Sequence, residues 1–152
     1  MVYVDTSIIV KLYLREAYTR EASDWLRDNN EAIPLTPFHE LEFTNAVKLK
    51  LFRNELTEGE VNIVFEKFRE HEKREVFFRP QVNWSDAFVR SLDLSKTHTH
   101  NTGSRTLDII HVAIALSIGA GRFITFDKRQ SQLASAAGLQ IETCIGPSPF
   151  DL

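Results

Sequence analysis

Cysteine occurs once in 152 residues, at Cys144, which excludes an intrachain disulfide framework and agrees with a reducing compartment. The lone thiol reads as buried filler. Long apolar runs are also missing. The longest, Ile109 to Ala120, falls short of the roughly 20 residues a membrane span needs and contains His111 and Ser117. The opening Met1-Val2-Tyr3-Val4-Asp5 has neither the basic stretch nor the apolar core of a secretory leader. The expectation is a cytoplasmic protein with no membrane partner. An excess of basic charge is absent as well: 18 Lys and Arg against 21 Asp and Glu leave a net charge of −3. There is no general attraction to nucleic acid, so any such role must rest on a local basic surface or on bridging metal ions. The acidic excess is too small to imply a disordered acidic chain. No repeat, low-complexity tract or Pro/Gly/Ser linker divides residues 1–152, which reads as a single domain able to bury roughly two thirds of its unfolded surface.

What is present alternates between two hydrophobic periods. Val2-Tyr3-Val4 is a short strand-forming run, and Asp5-Thr6-Ser7 after it marks a strand end followed by a helix start. Ile8, Ile9, Leu12 and Tyr13 recur at helical spacing, and Ala22, Trp25 and Leu26 predict a second helix that stops near Asn29-Asn30. Ala32-Ile33-Pro34-Leu35 can form a strand where the missing donor of Pro34 does no harm. From Pro37 to Phe52 the pattern is helical, with Phe38, Leu41, Asn45, Leu49 and Phe52 marking a core face that Phe43, Ala46 and Val47 widen. Thr57-Glu58-Gly59-Glu60 reads as a capping box for a helix through Val61, Val64, Phe65 and Phe68. Glu75-Val76-Phe77-Phe78 is a strand ended by Pro80. Trp84, Phe88 and Leu92 define a helix, and the polar stretch from Ser95 to Thr106 reads as the longest loop. Leu107 to Ile118 is apolar almost all round and predicts a buried helix. A strand over 122–126, a helix over 128–137 capped by Gly138 and a last strand over 139–143 complete a clear βαβ unit. Alternation of this kind predicts an α/β fold with a mainly parallel sheet covered on both faces by helices.

The chemistry lies in acids placed at the ends of apolar elements. Asp5 and Asp127 each follow a strand directly, at the edge where ligands of open parallel sheets bind. Asp108 opens the buried helix, where a charge must face a cation, a donor or solvent. Glu42 interrupts an apolar stretch, between Leu41 and Phe43. Four bare carboxylates at one edge would repel each other, and divalent cations are the simplest way to keep them ionised. All-oxygen ligands favour Mg²⁺ or Mn²⁺ over Zn²⁺. The fitting reaction is phosphodiester hydrolysis, in which a metal activates water and no side-chain nucleophile is needed.

Four segments in order resemble the PIN-domain ribonucleases, and in particular the VapC-type toxins of toxin–antitoxin pairs. These are Met1-Val2-Tyr3-Val4-Asp5-Thr6-Ser7, Glu42-Phe43-Thr44-Asn45-Ala46-Val47, Leu107-Asp108-Ile109-Ile110-His111-Val112-Ala113-Ile114-Ala115 and Thr125-Phe126-Asp127. The resemblance covers nearly the whole chain. It implies a three-layer α/β/α PIN fold with strand order 3-2-1-4-5 and Asp5, Glu42, Asp108 and Asp127 as catalytic, metal-binding acids. By the same resemblance Thr6 or Ser7, and Thr125, would orient metal-bound water. It further implies an RNA substrate, Mg²⁺ or Mn²⁺, an antitoxin partner and a homodimer, for which the helices at Trp25 and Phe65 offer surface. Glu40 competes with Glu42 for the second acid, and the spacing to Ala46-Val47 favours Glu42.

Blander roles compete with these. Asp5, Asp108 and Asp127 can serve as helix caps, Asp108 can pair with Arg105 or Arg122, and Glu42 can be a solvated helix residue. His98 and His100 lack the further ligands of a transition-metal site. His111 in a buried helix reads as a hydrogen-bonded structural histidine. Lys11, Arg15, Lys48, Lys50 and Arg53 are candidates for phosphate contact. An aspartyl phosphotransferase resembling the haloacid dehalogenases needs a second acid where this chain has Ser7. A catalytically silent PIN-like module that binds RNA or protein is the remaining alternative.

Overall fold

The structure is a computed structural model, and it describes residues 1–142. The end of the last expected strand at Thr143 and the burial expected of Cys144 lie outside the described residues. In chain order the elements are β1 (Val2–Val4), α1 (Thr6–Tyr13), α2 (Thr19–Asp28), β2 (Ile33–Pro34), α3 (Pro37–Phe52), α4 (Glu58–Lys73), β3 (Phe77–Phe78), α5 (Trp84–Thr102), α6 (Thr106–Ser117), β4 (Arg122–Ile124), α7 (Lys128–Ala136) and β5 (Gln140–Glu142). They fall into two compact units. Among the described residues one joins Met1–Asp5 to the chain from Pro80, and the other is Thr6–Arg79.

The first unit holds a parallel sheet of order β1-β4-β5, with Tyr3 opposite Phe123 and Phe123 opposite Ile141. Tyr3 and Phe123 are fully buried and stack with ring centroids 5.4 Å apart. Burial on both faces is why β1 is apolar throughout and β4 carries Phe123-Ile124, whereas β5, Gln140-Ile141-Glu142, is only partly covered. Helix α6 is buried over most of its surface, as its all-round apolar sequence predicts. Helix α5 packs along it and extends to Thr102, so the expected loop over 95–106 is largely helix and His98 and His100 lie on that helix. The reason is local. No glycine or proline interrupts the helix before Gly103, whose φ of 64° ends it. Within the last turns the hydroxyls of Thr99 and Thr102 bond back to Ser95 and to the carbonyl of His98.

In the second unit β2 and β3 pair in parallel. Ile33 N–H donates to Val76 and Leu35 N–H to Phe78, so Pro34 falls where the ladder needs no donor. An aromatic core fills this unit. Phe43 stacks on Phe68 at 4.6 Å, Phe68 on Phe77 at 5.4 Å, and Tyr13 meets Phe43 edge-on at 5.3 Å. Thr57 and Glu60 form the expected reciprocal cap of α4. The core face of α3, however, is only the widened edge of the expected one. Its buried residues are His39, Phe43 and Val47, whereas Leu41 is 66% and Phe52 81% exposed. Apolar residues occur on both sides of this helix, so spacing alone could not select the buried stripe. What selects it is the start of the helix. Thr36 caps α3 and receives the side chain of His39 in a buried reciprocal cap, which turns the 39/43/47 stripe inward.

Candidate active site

Three aspartates gather their contacts in the first unit. Asp5 ends β1, where its N–H continues the ladder to the Ile124 carbonyl at 3.0 Å, and its side chain is buried. Oδ2 accepts from Thr125 Oγ1 at 3.4 Å and Oδ1 from Gln130 Nε2 at 3.4 Å. His111 Nε2 faces Oδ1 at 3.5 Å, and Nδ1 on the other side of that ring lies 2.8 Å from the Tyr3 hydroxyl. A carboxylate facing Nε2 favours the tautomer protonated there, which leaves Nδ1 to accept from the phenol. His111 is thus the hydrogen-bonded core histidine expected of it, and it links Asp5 to the strand that carries it.

Asp127 follows β4 and caps α7, with Oδ1 accepting from the backbone of Arg129 at 2.8 Å and Gln130 at 3.1 Å. The hydroxyl of Thr125 accepts from Asp127 N–H at 3.0 Å while it donates to Asp5, so one threonine ties two of the acids together. Asp108 is buried in the first turn of α6, where Oδ2 accepts from Arg105 N–H at 2.9 Å. The capping role and the clustering therefore coexist. Arg105 draws the acids together electrically: Nε donates to Asp108 at 3.2 Å and a terminal nitrogen to Asp127 at 3.2 Å. Its guanidinium is held further toward the charged form by the bond and charge of Asp108, then by the charges of Asp127 and Asp5. The sequence alternative of Arg122 for Asp108 is not realised, since Arg122 pairs with Glu142.

In the second unit Glu42 accepts from Thr6 Oγ1 at 2.6 Å, and Thr6 is the residue after Asp5. Its competitor Glu40 is clasped by both terminal nitrogens of Arg79 at 2.7 and 2.8 Å, which holds its carboxyl below the usual range. Ser7 is half-buried on α1. Of the basic candidates in this unit, Lys11 and Lys50 both bind Glu16 at 3.2 Å, and Lys50 also binds Glu55. Lys48 lies over the Phe65 ring, while Arg15 and Arg53 are exposed. Gln130 and Tyr3 join the aspartates without having been predicted to do so. Gln130 lies among polar neighbours on α7 and gives no signal in sequence.

The donor set suits a hard divalent cation, being oxygen-rich and free of thiolate. One observation beyond the acids fits such an ion: Gln130 Oε1 is buried and has no hydrogen-bond partner. As the side chains stand, Asp108 and Asp127 turn to Arg105, and among the described residues no three His, Cys, Asp or Glu side chains form a metal-holding group.

A parallel α/β sheet with aspartates after β1 and β4 and at the head of a buried helix defines a carboxylate-bearing α/β domain. The PIN-domain family model matches residues 2–136, and the chain belongs to that family, whose members are often nucleases and generally depend on divalent metal. Among solved structures, FitAcB from Neisseria gonorrhoeae is similar in fold, with a TM-score of 0.67 at 17% identity over 100% of both chains. No curated protein matches the chain. The fold is the expected PIN α/β fold, and the strand neighbours 1-4-5 and 2-3 agree with the expected order; the described strands form two sheets, and the expected 2-1 pairing is not among their ladders. No helix among the described residues is long and apolar enough to cross a membrane.

Proposed function

We propose that the chain, as one PIN domain over residues 1–152, is a cytoplasmic Mg²⁺- or Mn²⁺-dependent endoribonuclease and the toxin of a toxin–antitoxin pair. The observation that carries this reading is the chain of shared partners among the three aspartates: Arg105 binds both Asp108 and Asp127, and Thr125 binds both Asp127 and Asp5. In the proposed reaction these three aspartates hold the cation, and Glu42 joins them, supported by the order of the motifs and by its bond to Thr6. Bound there, the metal would lower the pKa of the attacking water and stabilise charge on the phosphate.

The chain's own groups orient and restrain. Thr125 fixes Asp5 and Asp127 relative to each other, the α7 cap holds Asp127, and His111 backed by Tyr3 steadies Asp5 from within the core. Arg105 must give up its bonds to Asp108 and Asp127 when the ion enters, and its exposed guanidinium is then available to the phosphate backbone. Lys48, Arg15 and Arg53 supply further candidates for RNA contact. Lys11 and Lys50 contribute only if Glu16 releases them. The partner of the toxin reading is an antitoxin that masks the acids, and the assembly is a homodimer; co-expression and light scattering test these two points.

Cleavage of a mixed RNA pool by the purified protein, with Mg²⁺, with Mn²⁺ and with chelator, tests the activity. The expected outcome is metal-dependent cutting that Asp5→Asn and Asp108→Asn abolish. Cutting that survives both substitutions, or that chelator leaves untouched, overturns the reading. Retained metal binding without cleavage of any RNA favours the silent binding module instead.

A further inference from the structure

Gln130 is 1% exposed, on the first turn of α7 beside the cap that Asp127 provides. Its amide is bound on one side only. Nε2 donates to Asp5 Oδ1 at 3.4 Å, whereas Oε1 is buried with no partner. The orientation is chemically determined, because exchanging the two ends would set a carbonyl oxygen against a carboxylate. A buried acceptor left unmade is destabilising, and the residue could have been apolar: α7 buries Leu133 and Ala134 on the same helix. An amide that satisfies a site carboxylate with its nitrogen, and whose oxygen finds no partner among the protein's own groups, is arranged to receive a ligand.

We infer that Gln130 is a further positioning residue of the aspartate site, holding Asp5 through Nε2 while Oε1 serves as an additional hard-oxygen contact for a hydrated divalent cation. The inference rests on the metal-dependent reading proposed above. An amide oxygen is a hard, uncharged ligand of the kind Mg²⁺ and Mn²⁺ accept. Placed here it adds a contact without adding negative charge to a site where three aspartates already repel each other. It also accounts for the polar residue at a buried position. Contact with the ion would satisfy the oxygen for which the protein's own groups provide no partner.

This assignment predicts opposite changes in two quantities that a purely structural glutamine would move together. Gln130→Met keeps the length of the side chain and removes the amide. Under chelation its unfolding temperature should rise by about 2–4 °C, the shift expected for relief of one unsatisfied buried group in a chain of this size. Its Mn²⁺ affinity, read from the resonance signal of free Mn²⁺ during titration, should fall about 10-fold or more, as losses of outer-shell partners do. Gln130→Glu should show the converse, a lower unfolding temperature under chelation and Mn²⁺ binding at least as tight as wild type. Asp5→Asn, titrated alongside, separates the two levels of the argument. If Asp5→Asn loses Mn²⁺ and Gln130→Met binds it like wild type, the role of Gln130 is overturned and the aspartate site stands. If Asp5→Asn binds like wild type, the site itself is overturned, and this inference with it.

Discussion

His71 meets Tyr13 through a hydrogen bond of 2.6 Å between the phenol and Nδ1, which ties α1 to α4 together with the packing of Tyr13 on Phe68. Burial first, and the charge of Arg74 second, hold its imidazole below the ordinary histidine value, against a smaller opposing pull from Glu70. Its folded pKa is therefore lower than its unfolded one. The unfolded chain takes up the proton first as pH falls, so this contribution is complete above about pH 6.5 and is lost as pH drops through the folded value. Protonation would also convert Nδ1 from acceptor to donor, so the phenol would have to turn its hydrogen away and accept instead. Urea unfolding at pH 7.5 and pH 5 should show a loss of stability in wild type that is smaller in His71→Gln. An equal loss in both would assign the acid sensitivity to other groups. His71 is partly exposed, so the effect is modest. Residues of this kind were not legible in the sequence. A histidine among Glu70, Glu72 and Lys73 looks solvated, and its partner lies 58 positions away.

At the scale of the element, the helices and strands were legible where composition and period agreed. The βαβ unit from β4 to β5 and the buried α6 follow directly from their runs, and the alternation of donors around Pro34 follows from its chemistry. Two helices were misread for physical reasons. The tail of α5 is polar because it is half exposed, and polarity without glycine or proline does not make a loop. Helix α3 carries apolar residues on two faces, and the buried one is chosen by tertiary packing and by the Thr36–His39 cap. The consequence can be measured. Phe43→Ala removes a ring that is 1% exposed and stacked on Phe68, and should cost about 3–5 kcal/mol in denaturant unfolding. Phe52→Ala, on the face read from spacing as the core, should change stability by no more than about 0.5 kcal/mol. Similar costs for both would mean that the exposed face is covered in solution. Of the candidate site, the four acids and Thr125 could be read from motif order, because strand ends and helix starts are places where a charge has to be explained. The partners that hold them, Arg105, His111, Tyr3 and Gln130, depend on three-dimensional neighbours and could not be ranked from the chain alone.

At the scale of the whole molecule, the aspartates and the fold should be thermodynamically linked. An ion that binds the folded protein alone stabilises it by mass action, by about 2.7 kcal/mol at 100 times its dissociation constant. Mn²⁺ at that excess should raise the unfolding temperature of wild type and leave that of Asp5→Asn unchanged at the same concentration. A rise of equal size in both would place the binding elsewhere.

The path of the chain has a further consequence. Asp5 and its partner Thr125 stand 120 residues apart in sequence, and β1 finds its neighbour only when β4 exists. During synthesis at about 5–20 residues per second, the first acid emerges roughly 6–24 s before the strand that completes its setting. Until then the nascent chain carries a carboxylate without a site. The surroundings of Asp5 cannot assemble until Ile124 and Thr125 have emerged, so the parallel pairing of β1 with β4 makes the setting of the first acid one of the late products of synthesis.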